Sequence, residues 1–193
     1  MRIITGKAKG LKLKTPAGWA TRPTSDRVKE SLFSVLNGIT DFFEVENVLD
    51  IFAGTGALGL ESLSRGAKSA IFIDLATANL ISENINRAKF ENVSKVLRGD
   101  FEKILKKLSQ QNLKFDLIFS DPPYHKNFSQ KSIELVAELD LLSETGFLIV
   151  EYGADENLLP PKNFQSVRKI TYGKTTAIEI FARINQKQIE KIL

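Results

Sequence analysis

From residue 47 onward the sequence alternates short apolar runs with longer amphipathic stretches, and this rhythm limits the possible folds more than any other feature. The text reads NVLDIF, ALGLESLSRG, SAIFID, TANLISENINRAKF, KVLRGD, FEKILKKLSQ, FDLIFSD, QKSIELVAELDLL and GFLIVEY. Each short run is rich in β-type residues with little alternation, which predicts strands covered on both faces. The stretches between them have helical periodicity, so the class is α/β, with a doubly wound, mostly parallel sheet. The end of the chain breaks the pattern. After LPPKNF come SVRKITYG and TAIEIFARI, joined by Lys174 and Thr175 alone, too short for a crossover helix, so the two should pair as an antiparallel hairpin. The expectation is a Rossmann-like, seven-stranded sheet with an antiparallel C-terminal strand.

Two further elements precede this body. In RIITGKAKGLKLKTP, Leu11 and Leu13 alternate with Lys12 and Lys14, which predicts a basic β-hairpin within residues 1–20. Next, RPTSDRVKESLFSVL has a cap-rich start and apolar Val28, Leu32, Val35 and Leu36 at helical spacing, so a helix is expected over 22–37. At 193 residues, 42% of them hydrophobic, the chain fits one domain spanning 1–193.

The formal net charge is +4, unevenly spread. Residues 1–35 hold eight Lys or Arg against Asp26 and Glu30; the rest holds 19 against 21. A cationic arm on a near-neutral body suits a polyanion such as nucleic acid, with Lys7, Lys9, Lys12, Lys14, Arg22, Thr24 and Arg27 as candidate contacts. There is no cysteine, which removes disulfides, thiolate metal sites and a thiol nucleophile. No metal is expected. Without a long apolar run or a secretory pattern, the expected location is the cytoplasm, away from membranes.

VLDIFAGTGALG reads as strand, glycine turn and helix start, and Gly54, Gly56 and Gly59 satisfy G-x-G-x-x-G. That spacing serves nicotinamide, flavin and S-adenosylmethionine sites alike. Asp50 separates them: a carboxylate beside the loop repels a pyrophosphate but suits the ammonium and sulfonium of S-adenosylmethionine. Asp74 ends the next strand, where an acidic side chain can take ribose hydroxyls. Asp100 and Phe101 have two readings, adenine contact or simple helix capping with the ring in the core.

FSDPPYH places Asp121, Pro122, Pro123 and Tyr124 at the end of the fourth strand run. An exocyclic amino group on a base is a poor nucleophile because its lone pair is delocalised into the ring. Two acceptors, the Asp121 carboxylate and the Pro122 carbonyl, could each take one of its N–H bonds and favour a pyramidal nitrogen. Prolines fix φ and offer no competing donor, and Tyr124 offers a ring on which an unstacked base can lie. The single histidine, His125, is better read as a loop residue than a base; Trp19 and Glu151 carry no firm role.

These motifs together resemble a known family. DPPY with LDIFAGTGALG is similar to amino-group methyltransferases acting on nucleic acid. RPTSDRVKESLFSVL with GALGLESLSRGA resembles, more narrowly, the bacterial RsmD family, and the likeness extends over nearly the whole chain. The resemblance implies the seven-stranded methyltransferase fold and S-adenosylmethionine as cofactor, held around Asp50, Phe52, Ala53, Gly54, Gly56, Asp74, Leu75, Asp100 and Phe101. It further implies catalysis at Asp121–Tyr124 and methylation of guanine N2 in small-subunit rRNA, at guanine 966. The RNA would be engaged free or within an assembling 30S particle, with oligomeric state left open. One departure is Leu75, where a second polar residue would be expected. The competing readings are a DNA adenine-N6 or cytosine-N4 methyltransferase, a nicotinamide-dependent oxidoreductase, and a non-catalytic RNA-binding module.

Overall fold

The computed structural model describes residues 1–16, 26–123 and 126–184. Trp19, Arg22, Thr24, Tyr124, His125 and the tail from residue 185 lie outside the described residues. Seven strands form a mixed, mostly parallel sheet, and the chain divides into two compact units, Met1–Gly99 and Asp100–Leu193.

The first unit contains α1 (Asp26–Ile39), a short 3-10 turn (Phe42–Glu44), β1 (Asn47–Ile51), α2 (Ala57–Arg65), β2 (Ser69–Asp74), α3 (Ala78–Ala88) and β3 (Ser94–Arg98). Its strands lie in the order β3-β2-β1, all parallel, with Asp50 level with Phe72 and Asp74 level with Arg98. Every residue of β1 after Asn47 is buried, as expected of a strand covered on both faces. Helix α1 buries Leu32, Phe33 and Leu36, each contributing about 1.5–3 kcal/mol by its removal from water. The helical spacing foresaw Leu32 and Leu36; Val28 and Val35 are only half-buried, and Phe33 takes the central place instead.

The second unit contains α4 (Phe101–Gln110), β4 (Phe115–Ser120), α5 (Phe128–Glu138), β5 (Leu142–Gly153), β6 (Phe164–Tyr172) and β7 (Thr176–Arg183). The order is β4-β5-β7-β6: β4 and β5 are parallel, and β7 runs antiparallel to both of its neighbours. The hairpin read from the two-residue connection is therefore present, with β7 as its inner strand. Strand β7 has six consecutive buried residues, whereas β6 alternates, as an edge strand with one wet face should. The acid in the middle of β7, Glu179, is paired within the sheet: the Tyr152 hydroxyl donates to it at 2.6 Å and the Ser166 hydroxyl also donates to it. Burial, and then this carboxylate, push the Tyr152 phenol up.

The N-terminal segment doubles back on itself as the expected hairpin: Ile3 N–H donates to the Leu11 carbonyl at 3.0 Å, Gly10 N–H to the Ile3 carbonyl at 2.8 Å and Leu13 N–H to the Met1 carbonyl at 3.1 Å. It has one antiparallel bridge, Arg2 with Lys12, and no named strand. The pairing stays short because other N–H groups of the segment are taken up by α2. Those of Ile4 and Thr5 donate to the Glu61 carboxylate at 2.7 and 3.1 Å, Lys7 N–H to the Ser64 carbonyl at 2.8 Å, and Ala8 N–H to the Ser64 hydroxyl at 2.9 Å. These donors bind α2 rather than an opposing strand. Gly6 makes the approach possible: its φ is +86°, and a Cβ there would lie 1.8 Å from the Ser64 carbonyl oxygen. Ile3 and Leu13 turn inward, while Lys7, Lys9, Lys12 and Lys14 are exposed.

Candidate active site

In the first unit, β1 ends at Ile51 and the chain turns through Phe52, Gly54 and Gly56, with φ of 59°, 57° and 78°. Two of these are glycines, for which left-handed backbone carries no steric penalty; Phe52 is strained there. Gly59 has a different role, packing α2 on β2, since a Cβ at that position would sit 2.4 Å from the Phe72 ring. The N-cap of α2 is Gly56, which has no side chain to satisfy the first-turn donors. Asp50 supplies the acceptor from the strand: Gly59 N–H donates to its carboxylate at 2.9 Å.

Asp50 is only 2% exposed. Burial is the main force that pushes its carboxyl up to about 8; the Gly59 N–H pulls the other way, and the nearby Asp74 carboxylate adds to the rise. A buried carboxyl whose charged neighbour has the same sign fits a ligand that brings a cation to the loop. The ammonium of S-adenosylmethionine is such a group, and the donor chemistry around the loop is compatible with that cofactor.

Asp74 grips the loop from β2. Gly54 N–H donates to one of its oxygens at 3.0 Å, and the N–H groups of Ala76 and Thr77 donate to the other, both at 2.8 Å. Three acceptor sites are thus occupied by backbone, leaving one of about four for a ribose hydroxyl. Ala53 is buried, with its N–H bonded to the Ile73 carbonyl at 3.0 Å, and Leu75 is 66% exposed beside Asp74. Asp50, Phe52, Ala53, Gly54, Gly56, Asp74 and Leu75 thus cluster at the ends of β1 and β2.

In the second unit, Asp100 caps α4 by accepting from Lys103 N–H at 3.1 Å. The Phe101 ring is buried edge-on to Phe128, with centroids 5.7 Å apart. Of the two readings the sequence left open, capping is the one these contacts display. Strand β4 ends at Ser120, whose hydroxyl is buried and donates to Ser132 on α5 at 3.0 Å. Immediately after it come a half-buried Asp121, a buried Pro122 and an exposed Pro123. Among the described residues no group of His, Cys, Asp and Glu could hold a metal ion. None of the described helices is long and apolar enough to cross a membrane.

The cationic arm needs one correction. Lys29, counted in its charge, is 1% exposed: its ammonium donates to the Arg2 carbonyl at 2.6 Å and to Glu61 at 3.0 Å. Burial chiefly lowers its pKa, with Glu61 opposing. Lys14 is paired with Glu83 at 2.7 Å and Arg2 with Asp26 at 3.5 Å, so Lys7, Lys9, Lys12 and Arg27 are the exposed cations best disposed toward a polyanion. Sequence reading missed Glu61, Ser64 and Asn84, all buried and polar, because the N-terminal groups they hold lie 56–70 residues away.

A glycine loop braced by two strand-end carboxylates, on a sheet in which β7 alone is reversed, defines a Rossmann-like fold of the S-adenosylmethionine-dependent methyltransferase class. The family can be stated more closely. A family model described as conserved hypothetical protein 95 matches residues 1–181, and the chain belongs to that family, the RsmD family. It is 37% identical to YlbH of Bacillus subtilis strain 168, over 91% of this chain and 95% of that one. It is 34% identical to the ribosomal RNA small subunit methyltransferase D of Haemophilus influenzae, over 90% and 89%. Among solved structures, the Thermus thermophilus protein TTHA0928 superposes with a TM-score of 0.80 at 27% identity, over 95% of this chain and 99% of that one.

Proposed function

We propose that this protein transfers a methyl group from S-adenosylmethionine to the exocyclic N2 amino group of a guanine in small-subunit rRNA, at guanine 966. The observation that carries the reading is the carboxylate followed by two prolines at the end of β4, with Asp121 half-buried and Pro122 buried. The Asp121 carboxylate and the Pro122 carbonyl accept the two N–H bonds of the amine. This holds the nitrogen in place and returns its lone pair from the ring. Neither proline offers a competing donor, and Tyr124 supplies a face for the unstacked base. Asp50, the loop of Gly54 and Gly56, and Asp74 hold the cofactor, whose sulfonium supplies an already activated methyl. Positioning therefore provides most of the catalysis, and no strong base is needed before the methyl moves. Relatives named ribosomal RNA small subunit methyltransferase D support rRNA as the substrate.

Tritiated methyl transfer to naked rRNA, to assembling and finished subunits and to duplex DNA, with the labelled nucleoside identified, tests this reading. Label on guanine N2 of small-subunit rRNA is expected; label on adenine N6 or cytosine N4 of DNA would replace it. Asp121→Ala should lower transfer by roughly 10²-fold or more while S-adenosylhomocysteine still binds. Undiminished transfer by the folded variant would remove that residue from the reaction.

A further inference from the structure

Asn84, on α3, is fully buried, and its side-chain amide joins two segments. Its oxygen accepts the Lys14 N–H at 2.8 Å, and its nitrogen donates to the Lys14 carbonyl at 3.1 Å and to the Thr55 carbonyl at 2.9 Å. The partners fix the orientation of the amide, since a flipped group would set an NH₂ against the Lys14 N–H. At one end is the cationic arm, gripped at both backbone groups of one residue. At the other is the residue between Gly54 and Gly56, at the crest of the cofactor loop. One turn earlier on the same helix, Ile81 packs against Gly56, so α3 touches the loop through both residues. The arm also meets Thr55 directly, where the hydroxyl lies 3.5 Å from Met1 Sδ.

We propose that Asn84 is a positioning residue that couples the arm to the cofactor loop, so that filling the loop orders the arm for RNA. This rests on the function proposed above. The crest of the loop has two side-chain braces, Asp74 on Gly54 N–H and Asn84 on Thr55 C=O. A ligand that fixes the loop fixes the Thr55 carbonyl, and through one rigid, fully bonded amide it fixes Lys14. By linkage, RNA bound to the arm tightens cofactor binding by the same factor.

The test uses the whole protein. Hydrogen exchange of residues 2–14 is measured by mass spectrometry with and without saturating S-adenosylhomocysteine. Affinity for a small-subunit rRNA transcript is measured under the same two conditions. In the wild type, arm exchange should slow and RNA affinity rise, each by roughly five-fold or more. In Asn84→Asp, which keeps the acceptor for Lys14 N–H but loses both donors, S-adenosylhomocysteine should still bind while both effects vanish. Should that variant not fold, the wild-type measurement decides alone. Unchanged arm exchange in the loaded wild type, or full slowing in a folded Asn84→Asp, overturns the coupling. Loss of S-adenosylhomocysteine binding by the wild type itself would instead remove the proposed function, and the coupling with it.

Discussion

The carboxyl of Asp50 faces the Gly59 N–H and has Asp74 as its charged neighbour, so in the ligand-free protein its proton leaves only near pH 8. In the unfolded chain the same group ionises near the ordinary carboxylate value of about 4. Between those pH values the folded state binds more protons than the unfolded one, so stability falls as pH rises through that window. Asp50→Asn keeps an acceptor for Gly59 and removes the ionisable group, so the folded state no longer has to hold a proton that the unfolded chain releases. It should raise the thermal midpoint of the ligand-free protein at pH 7.5, worth on the order of 1–3 kcal/mol, with the gain shrinking toward pH 4–5. The same variant should lose S-adenosylhomocysteine binding, measured by titration calorimetry. Binding to the wild type at pH 7 should release close to one proton, visible as a heat that depends on the ionisation enthalpy of the buffer. Equal melting profiles for the two proteins across this pH range would show that the carboxyl is not held neutral.

At the scale of elements, Glu61 organises the N-terminal half of the first unit. One buried carboxylate accepts from Ile4 and Thr5 N–H, from the Lys29 ammonium and from the Arg65 guanidinium at 2.9 Å; the Arg65 guanidinium also lies 4.8 Å from the Phe33 ring centroid. It thereby ties the arm, α1 and α2 together. Glu61→Ala leaves two cations without their buried partner and should cost about 3–5 kcal/mol in urea unfolding. Lys29→Met should cost less, because Glu61 keeps Arg65 and two N–H donors. If both variants unfold at the same urea concentration, the carboxylate is not the hub. None of this was legible in the sequence. Helix α2 is buried almost all round, with residues 59–64 all covered, and nothing in its sequence says that its acid answers a lysine 32 residues earlier. The self-pairing of the arm was legible in its alternating residues; the second set of bonds, from Ile4, Thr5, Lys7 and Ala8 N–H to α2, was not.

At the scale of the molecule, the alternation of apolar and amphipathic runs sufficed to place β1–β5 and α2–α5 within a few residues, because short continuous apolar runs and the 3.6 period are local properties. The short connection at Lys174 and Thr175 likewise settled the direction of β7 against β6. The glycine turn after β1 was legible in the spacing of Gly54, Gly56 and Gly59; the use of Asp50 and Asp74 as backbone acceptors was not, because it depends on which donors the fold brings near. Charge was legible as a total but not as a surface, with Lys29 buried and Lys14 and Arg2 paired. Replacing Lys7, Lys9 and Lys12 with Gln should weaken RNA binding evenly across sequences and reduce the salt slope of log K by about one per lysine contacting phosphate, read from affinities over a salt series. A slope that does not change would place the RNA elsewhere.

The arm is held by main-chain bonds to Glu61, Ser64 and Asn84 and by the buried side chains of Ile3 and Leu13, and Gly6 has no room for a Cβ. Docking and reading are therefore chemically separable. The exposed side chains of Lys7, Lys9 and Lys12 can be exchanged as a set while the anchorage of the segment to the body stays intact.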